Sequence, residues 1–211
     1  MIPLILIGGG GHCKSVIDII ETEGKYKIIG ILDLPSKIGE KVLGYDIIGT
    51  EDNLENFISL TNNFLVTVGH VKDYKTRERL VEKIDSVGGN LVTIISPLSH
   101  VSRDARIGRG SVIHHFAHIN AGAKIGDNCI INSFANIEHD ANIGNLTHIS
   151  TSVMVNGDCM IGSCVFIGSN ATLRIGAKIT DNVTIGACSF VNSDITEPGF
   201  YKGIPAKKHP Q

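Results

Sequence analysis

The sequence predicts two architectures in one chain: a Rossmann-like α/β domain over residues 1–95 and a parallel β-helix over 96–194, followed by a tail of 195–211. Three observations carry this prediction. The first residues read as an apolar strand, a run of four glycines and an amphipathic helix. From Val101, Ile107 and Ile113 onward to Val191, an aliphatic residue then recurs at every sixth position without a slip. The position two before each of these, from Ala105 to Ser189, is always small or β-branched.

In chain order, Leu4, Ile5, Leu6 and Ile7 form the apolar run of a buried strand and lead into Gly8, Gly9, Gly10, Gly11 and His12. Val16, Ile17, Ile19 and Ile20 follow at helical spacing up to Gly24, a C-terminal stop. Strands over 28–32, 46–48, 64–68 and 91–95, with helices over 51–59 and 74–86, continue the alternation expected of a small, mostly parallel sheet flanked by helices. The full dinucleotide fingerprint is absent, because Cys13 or Lys14 takes the last glycine slot, and there is no Walker A sequence. What remains is a glycine turn whose N–H groups, at a helix start, favour an anion such as a diphosphate. Asp33 ends the second strand, where a carboxylate can read a ribose or base or simply cap the strand.

The repeat is a strand-and-corner unit. A helix does not repeat at six, and the aliphatic and the small residue two before it share one side of a strand. The two residues midway between aliphatics are turn formers, as in Asp127-Asn128, Gly157-Asp158 and Asp181-Asn182. One hexad cannot bury its apolar side alone, so stacked coils must close the core. Each stacked Ile then contributes roughly 1.5–3 kcal/mol by burial. Phe116 and Phe134 lie on corners eighteen residues apart, and if three hexads make one coil, as the resemblance named below implies, they should form an outward aromatic column and mark a subunit interface.

Composition narrows the function. The net charge of −2, unclustered Lys and Arg, 5% aromatics and no Trp argue against nucleic acid and anionic membrane as partners. No stretch reaches the length of a membrane span, and no basic region precedes the first strand, so a cytoplasmic location is expected. Five cysteines without metal or redox spacing read as reduced thiols, Cys129 and Cys159 in small interior slots of the repeat.

The candidate chemistry is at Glu138-His139-Asp140 on a corner, with His148 nine residues later and Gly157 eighteen after His139. An acyl transfer to an amine or hydroxyl needs a base of near-neutral pKa, which imidazole supplies, and a neighbouring carboxylate fixes its tautomer. Asp140 is the expected orienting acid and Glu138 the reserve. If three hexads make one coil, as the resemblance named below implies, Gly157 stacks on His139, and without a side chain it leaves room for a thioester and offers an N–H as oxyanion donor. By itself the motif also describes ordinary solvated corner residues. His100 and His118, eighteen apart, read as a solvated edge pair.

The pattern [LIV]-G-x-x-[STAV]-x, with Ile-Gly at 107–108, 125–126, 143–144, 161–162, 167–168 and 185–186, resembles the hexapeptide acyltransferases. Residues 8–20, Ile31-Leu32-Asp33 and Val68-Gly69 are similar to the N-terminal domain of the bacterial sugar acetyltransferases. That group includes the bacillosamine-pathway and perosamine N-acetyltransferases and the sialic acid O-acetyltransferases. The resemblance implies three hexads per coil, a left-handed β-helix, a homotrimer with active sites between subunits, and acetyl-CoA as cosubstrate without a metal. It further implies a role in glycan biosynthesis, with a nucleotide-linked 4-amino-4,6-dideoxy sugar as partner and His139 as general base. Carried over by position, Gly10, Gly11 and His12 meet the diphosphate and ribose, Asp33 the base, and Gly69 the sugar side. His148 lies at the acetyl-CoA, Gly168, Ser169, Gly186 and Ala187 face the pantetheine, and Lys207 in a G-x-P-A-K ending approaches a phosphate. Leu34 stands where some relatives have a second acid, which leaves the base unread.

The nearest alternative is a sialic acid O-acetyltransferase. Remoter ones are a non-catalytic nucleotide-sugar-binding protein and a β-helix metalloenzyme using His114, His115 and His118.

Overall fold

The computed structural model describes residues 1–71 and 73–210. It divides into two compact units, Met1–Ile94 and Ile95–Gln211.

The first unit runs β1 (Ile2–Ile7), α1 (Gly11–Glu23), β2 (Tyr26–Leu32), β3 (Lys41–Val42), β4 (Tyr45–Gly49), α2 (Leu54–Ile58), β5 (Asn63–Val66), α3 (Lys75–Ser86) and β6 (Asn90–Leu91). Its sheet has the order β3-β4-β2-β1-β5-β6, parallel except for the β3–β4 hairpin. The unbroken apolar run of β1 is fully buried, as a strand covered on both faces requires. Strand order reverses at β1, so the carboxyl ends of β1 and β5 open a crevice, the usual ligand position in such sheets. Helix α1 buries Cys13, Val16, Ile17, Ile19 and Ile20 and ends at Gly24, whose φ of 67° lets its N–H reach the Ile20 carbonyl.

Several elements depart from expectation. The helix over 51–59 is a 3-10 turn, Glu51–Asn53, followed by the short α2. The strand over 64–68 stops at Val66, where the fully buried Arg77 guanidinium takes the Val66 and Val68 carbonyls at 2.7 and 3.0 Å. The strand over 91–95 is two pieces. The chain leaves the sheet after Val92 N–H bonds Phe64, and Ile94–Ile95 belongs to a separate sheet.

The second unit is a left-handed parallel β-helix of three sheets, with eight, six and five strands. Pairing joins residues eighteen apart, Val112 with Ile130, His118 with Asn136 and Lys124 with Asn142, so three hexads make one coil. The aliphatic and small columns are the core: Ala135, Ile137, Ala141, Ile143 and Ile149 are all buried. At every corner from Gly110 to Cys188 the second turn residue has positive φ, including Phe116, Phe134, Asp140 and Asp158 at 58–61°. A left-handed residue costs roughly 1–2 kcal/mol when it is not glycine, and the stacked strands on either side impose it regardless. Gly144 shows why glycine follows so many of the aliphatics: a Cβ there would stand 2.6 Å from backbone atoms of the next coil. In the tail, Gly199–Lys202 extends the eight-stranded sheet and Lys207–His209 folds back on it, which pairs an otherwise open edge.

Candidate active site

The corner after strand Asn136–Ile137 carries the candidate base. Ile137 points into the core, and the chain then turns through Glu138 and His139 to Asp140, whose φ of 58° and N–H bond to the Ala121 carbonyl at 3.1 Å fix the turn. His139 and Asp140 project into solvent, with Nδ1 3.0 Å from Asp140 Oδ2. A carboxylate accepts from Nδ1–H, so this geometry assigns the tautomer whose Nε2 is a bare acceptor. The Asp140 hydrogen bond, with the charges of Asp158, Asp140 and Glu138, raises the His139 pKa above the ordinary histidine value.

Gly157 lies one coil beyond. A Cβ built on it would stand 2.6 Å from His139 Nε2, so only glycine leaves the ring its place. The next residue, Asp158, donates its N–H to the His139 carbonyl at 3.0 Å, which ties the two coils together. Among the described residues no acceptor takes the Gly157 N–H.

Glu138 does not serve His139 through its carboxylate. Asn120 Nδ2 and Asn136 Nδ2 donate to it at 2.8 and 2.9 Å, and these bonds hold its pKa below the usual glutamate value. Asn136 Oδ1 lies 2.8 Å from His118 Nδ1, and the His118 and His100 rings stand 4.9 Å apart. Sequence reasoning passed over Asn120 and Asn136. The eighteen-residue stack, which sets Asn120 against Glu138 and His118 against Asn136, was the signal available.

Within one chain, the residues expected at the cofactor lie away from the His139 corner. His148 is on the eight-stranded sheet, nearly buried, with Phe166 edge-on at 5.2 Å. Gly168 and Ser169 occupy the corner after Phe166–Ile167, and Gly186 and Ala187 the corner one coil on. Ser169 Oγ bonds Ser150 Oγ at 2.9 Å, Gly168 is buried against the Ala187 backbone, and Lys207 is exposed on the terminal strand. Within one chain, this edge and the His139 corner lie on opposite sides of the six-stranded sheet. A cleft of about 470 Å³ lies on the five-stranded sheet, between Met160 and Lys178.

In the first unit, Gly10 is the uncapped N-cap of α1, and Cβ atoms on Gly10 and Gly11 would meet nothing within 4 Å. Gly69 lies 3.7 Å from the His12 Cβ by the same construction, so Gly10, Gly11, His12 and Gly69 form one cluster. Asp33 accepts from Gly9 N–H at 2.8 Å, Leu34 N–H at 2.7 Å and Lys37 at 3.0 Å. Burial alone would raise its pKa, but bonds from Lys37, Leu34 and Gly9 hold it below the ordinary carboxylate value. Beside it is a cavity of about 220 Å³ lined by Gly8, Asp33, Leu34, Val68 and Arg79.

His114, His115 and His118 do not converge. His114 is buried with its pKa pushed down to about 4, His115 bonds Ser96, and His118 bonds Asn136. Among the described residues, the one group with ligand atoms close enough to share an ion is His139, Asp140 and Asp158. None of the five cysteines forms a disulfide, and among the described residues no helix is long and apolar enough to cross a membrane.

Comparison with known proteins places these features. The model of the PglD N-terminal domain matches residues 3–84, and that of the bacterial transferase hexapeptide (six repeats) matches 104–139. The acetyltransferase domain of PglB from Neisseria gonorrhoeae is 32% identical, with 98% of this chain and 99% of that chain aligned at a TM-score of 0.89. PerB from Caulobacter crescentus, solved with CoA and GDP-perosamine, is 30% identical, with 99% and 97% aligned at 0.92. The same PglB domain has been solved in complex with acetyl coenzyme A, at 32% identity, 98% of both chains and 0.88. No curated protein sequence matches the chain.

Proposed function

The chain belongs to the hexapeptide-repeat sugar acetyltransferases with a PglD-type N-terminal domain, and from that premise we propose that it transfers acetyl from acetyl-CoA to the 4-amino group of a nucleotide-linked 4-amino-4,6-dideoxy sugar. It is an acetyl-CoA-dependent sugar acetyltransferase; the amine, its position and the residues that act on it are our reading. The observation that carries this reading is the imidazole held at Nδ1 by Asp140, with Nε2 open above a bare Gly157.

The nucleophile is the neutral amine. As its lone pair attacks the thioester carbonyl, His139 Nε2 takes an N–H proton, and Asp140 stabilises the imidazolium. The oxyanion is met by the Gly157 N–H. The C–S bond breaks, and the imidazolium returns the proton to the departing thiolate.

The diphosphate lies on the Gly10 and Gly11 N–H groups at the start of α1, where the helix dipole favours an anion. His12 meets the ribose, and Gly69 borders the sugar. The base enters the cavity beside Asp33, whose carboxylate the chain has already drawn into a bond with Gly9. His148, Gly168, Ser169, Gly186 and Ala187 line the CoA path, with Lys207 toward a phosphate. Because the His139 corner and the CoA residues lie on opposite sides of a sheet in one chain, a complete site needs two copies side by side. This supports a homotrimer with sites between subunits, and we read the enzyme as cytoplasmic.

The test is thiol release from acetyl-CoA with UDP-, dTDP- and GDP-linked 4-amino sugars and with free sialic acid. Turnover on one aminosugar nucleotide is expected and names the base. Turnover on sialic acid alone contradicts the assignment.

A further inference from the structure

We propose that Asp158 is a substrate-selecting residue: its carboxylate, one coil beyond Asp140 and facing His139, receives the ammonium form of the acceptor and so favours an amine over a hydroxyl. The inference rests on the reading of His139 as base. Asp140 and Asp158 occupy the same left-handed corner position eighteen residues apart, with φ of 58° and 60°. A ring nitrogen of His139 and one carboxylate oxygen from each aspartate all lie within 4.8 Å of one another, and all three side chains are exposed.

Stacked like charges repel, and this pair has no lysine or arginine partner among the described residues. The one cationic group the corner offers is the imidazolium itself. Two carboxylates converging on one imidazole therefore make a small anionic bay, open to solvent, beside the ring at which the nucleophile must arrive. An alkylammonium has the charge and the N–H donors to fill it; a hydroxyl has one donor and no charge. Asp140 is committed to Nδ1, which leaves Asp158 as the free acceptor.

Asp158 is not a base in this step, because a carboxylate is far too weak to deprotonate an ammonium. The bound ammonium loses one proton to solvent, and the neutral amine stays hydrogen-bonded to Asp158 through a second N–H. On attack, the proton displaced from nitrogen passes to His139 and then to the leaving thiolate. The sum is ammonium plus thioester giving amide, thiol and one released proton.

The test is Asp158→Asn, an isostere at home in a left-handed corner, with Asp158→Gly as a second variant because the chain already uses glycine at 122 and 176 in this position. In both, KM for the aminosugar nucleotide should rise about tenfold or more, the scale of one lost charged hydrogen bond, with KM for acetyl-CoA unchanged. The preference for the amino sugar over its 4-hydroxy analogue, measured as a competitive inhibitor, should fall by the same factor. The groups facing His139 are Asp158, Asp140 and Glu138, so the acid limb of kcat/KM should also move to lower pH. Variants with wild-type KM, selectivity and pH profile overturn the inference while leaving the base assignment intact. A wild-type chain that acetylates no amine overturns both.

Discussion

His139 is constrained on both ring edges, and each edge has its own test. Nδ1 is held by Asp140, while Nε2 faces a space kept open by Gly157, whose backbone does not itself need glycine. Gly157→Ala should therefore fold normally and push the ring off Asp140. A drop in kcat of about tenfold or more, the cost of misplacing a reacting group, with KM for acetyl-CoA near wild type, is expected; unchanged kcat would mean the ring does not work where it stands. His114 makes a different, structural prediction. Burial, with the neighbouring charge of His115, pushes its pKa down from 6.5 to about 4. The unfolded chain thus takes up this proton before the folded one, so the stabilising share is intact above pH 6.5 and lost progressively toward pH 4. The loss is up to about 3 kcal/mol. Melting temperature followed from pH 7 to 4 should fall, and His114→Gln should flatten the curve; parallel curves would contradict the assignment.

The start of α1 carries the substrate prediction at the scale of an element. Gly11→Asp places a carboxylate where the diphosphate is expected, yet an acid in the first turn of a helix is favourable. Melting temperature should hold or rise while KM for the nucleotide sugar increases about tenfold or more; unchanged KM would remove the diphosphate from this turn. Elements differ in how plainly they were written in the chain. The hexads were fully legible because every coil repeats the same burial, and β1 with α1 because an apolar run, a glycine turn and a 3.6-residue period coincide. The end of the strand over 64–68 and the split of 91–95 were not, since tertiary bonds from Arg77 and Val92 set those boundaries. Positive φ at Phe116 and Phe134 left no mark in residue type, because stacking imposes it. The His139-Asp140 pair could be read from adjacency. The engagement of Glu138 by Asn120 and Asn136 needed the coil register before it could be seen.

Over the whole molecule, the chain pairs a unit with a glycine-lined crevice and a unit with an Asp140-held imidazole at a corner, and likeness along the whole chain to the PglB acetyltransferase domain and PerB joins them in one enzyme. The Leu98, Phe116 and Phe134 side chains form an exposed apolar column, with the two phenylalanine rings stacked at 5.0 Å, along an edge that also carries Gly168 and Gly186. That edge suits contact with another copy, as the proposed site between subunits requires. Raising pH through the elevated His139 pKa frees Nε2, so kcat/KM should climb into mildly alkaline solution. The central claim is tested most directly by kcat/KM of the wild type and of His139→Ala on the best aminosugar nucleotide, with the oligomer and acetyl-CoA binding verified in both. A loss of about a hundredfold to ten-thousandfold, the range of a missing general base, together with disappearance of the acid limb, is the predicted result. Turnover within a few-fold of wild type, with its pH profile intact, would contradict it.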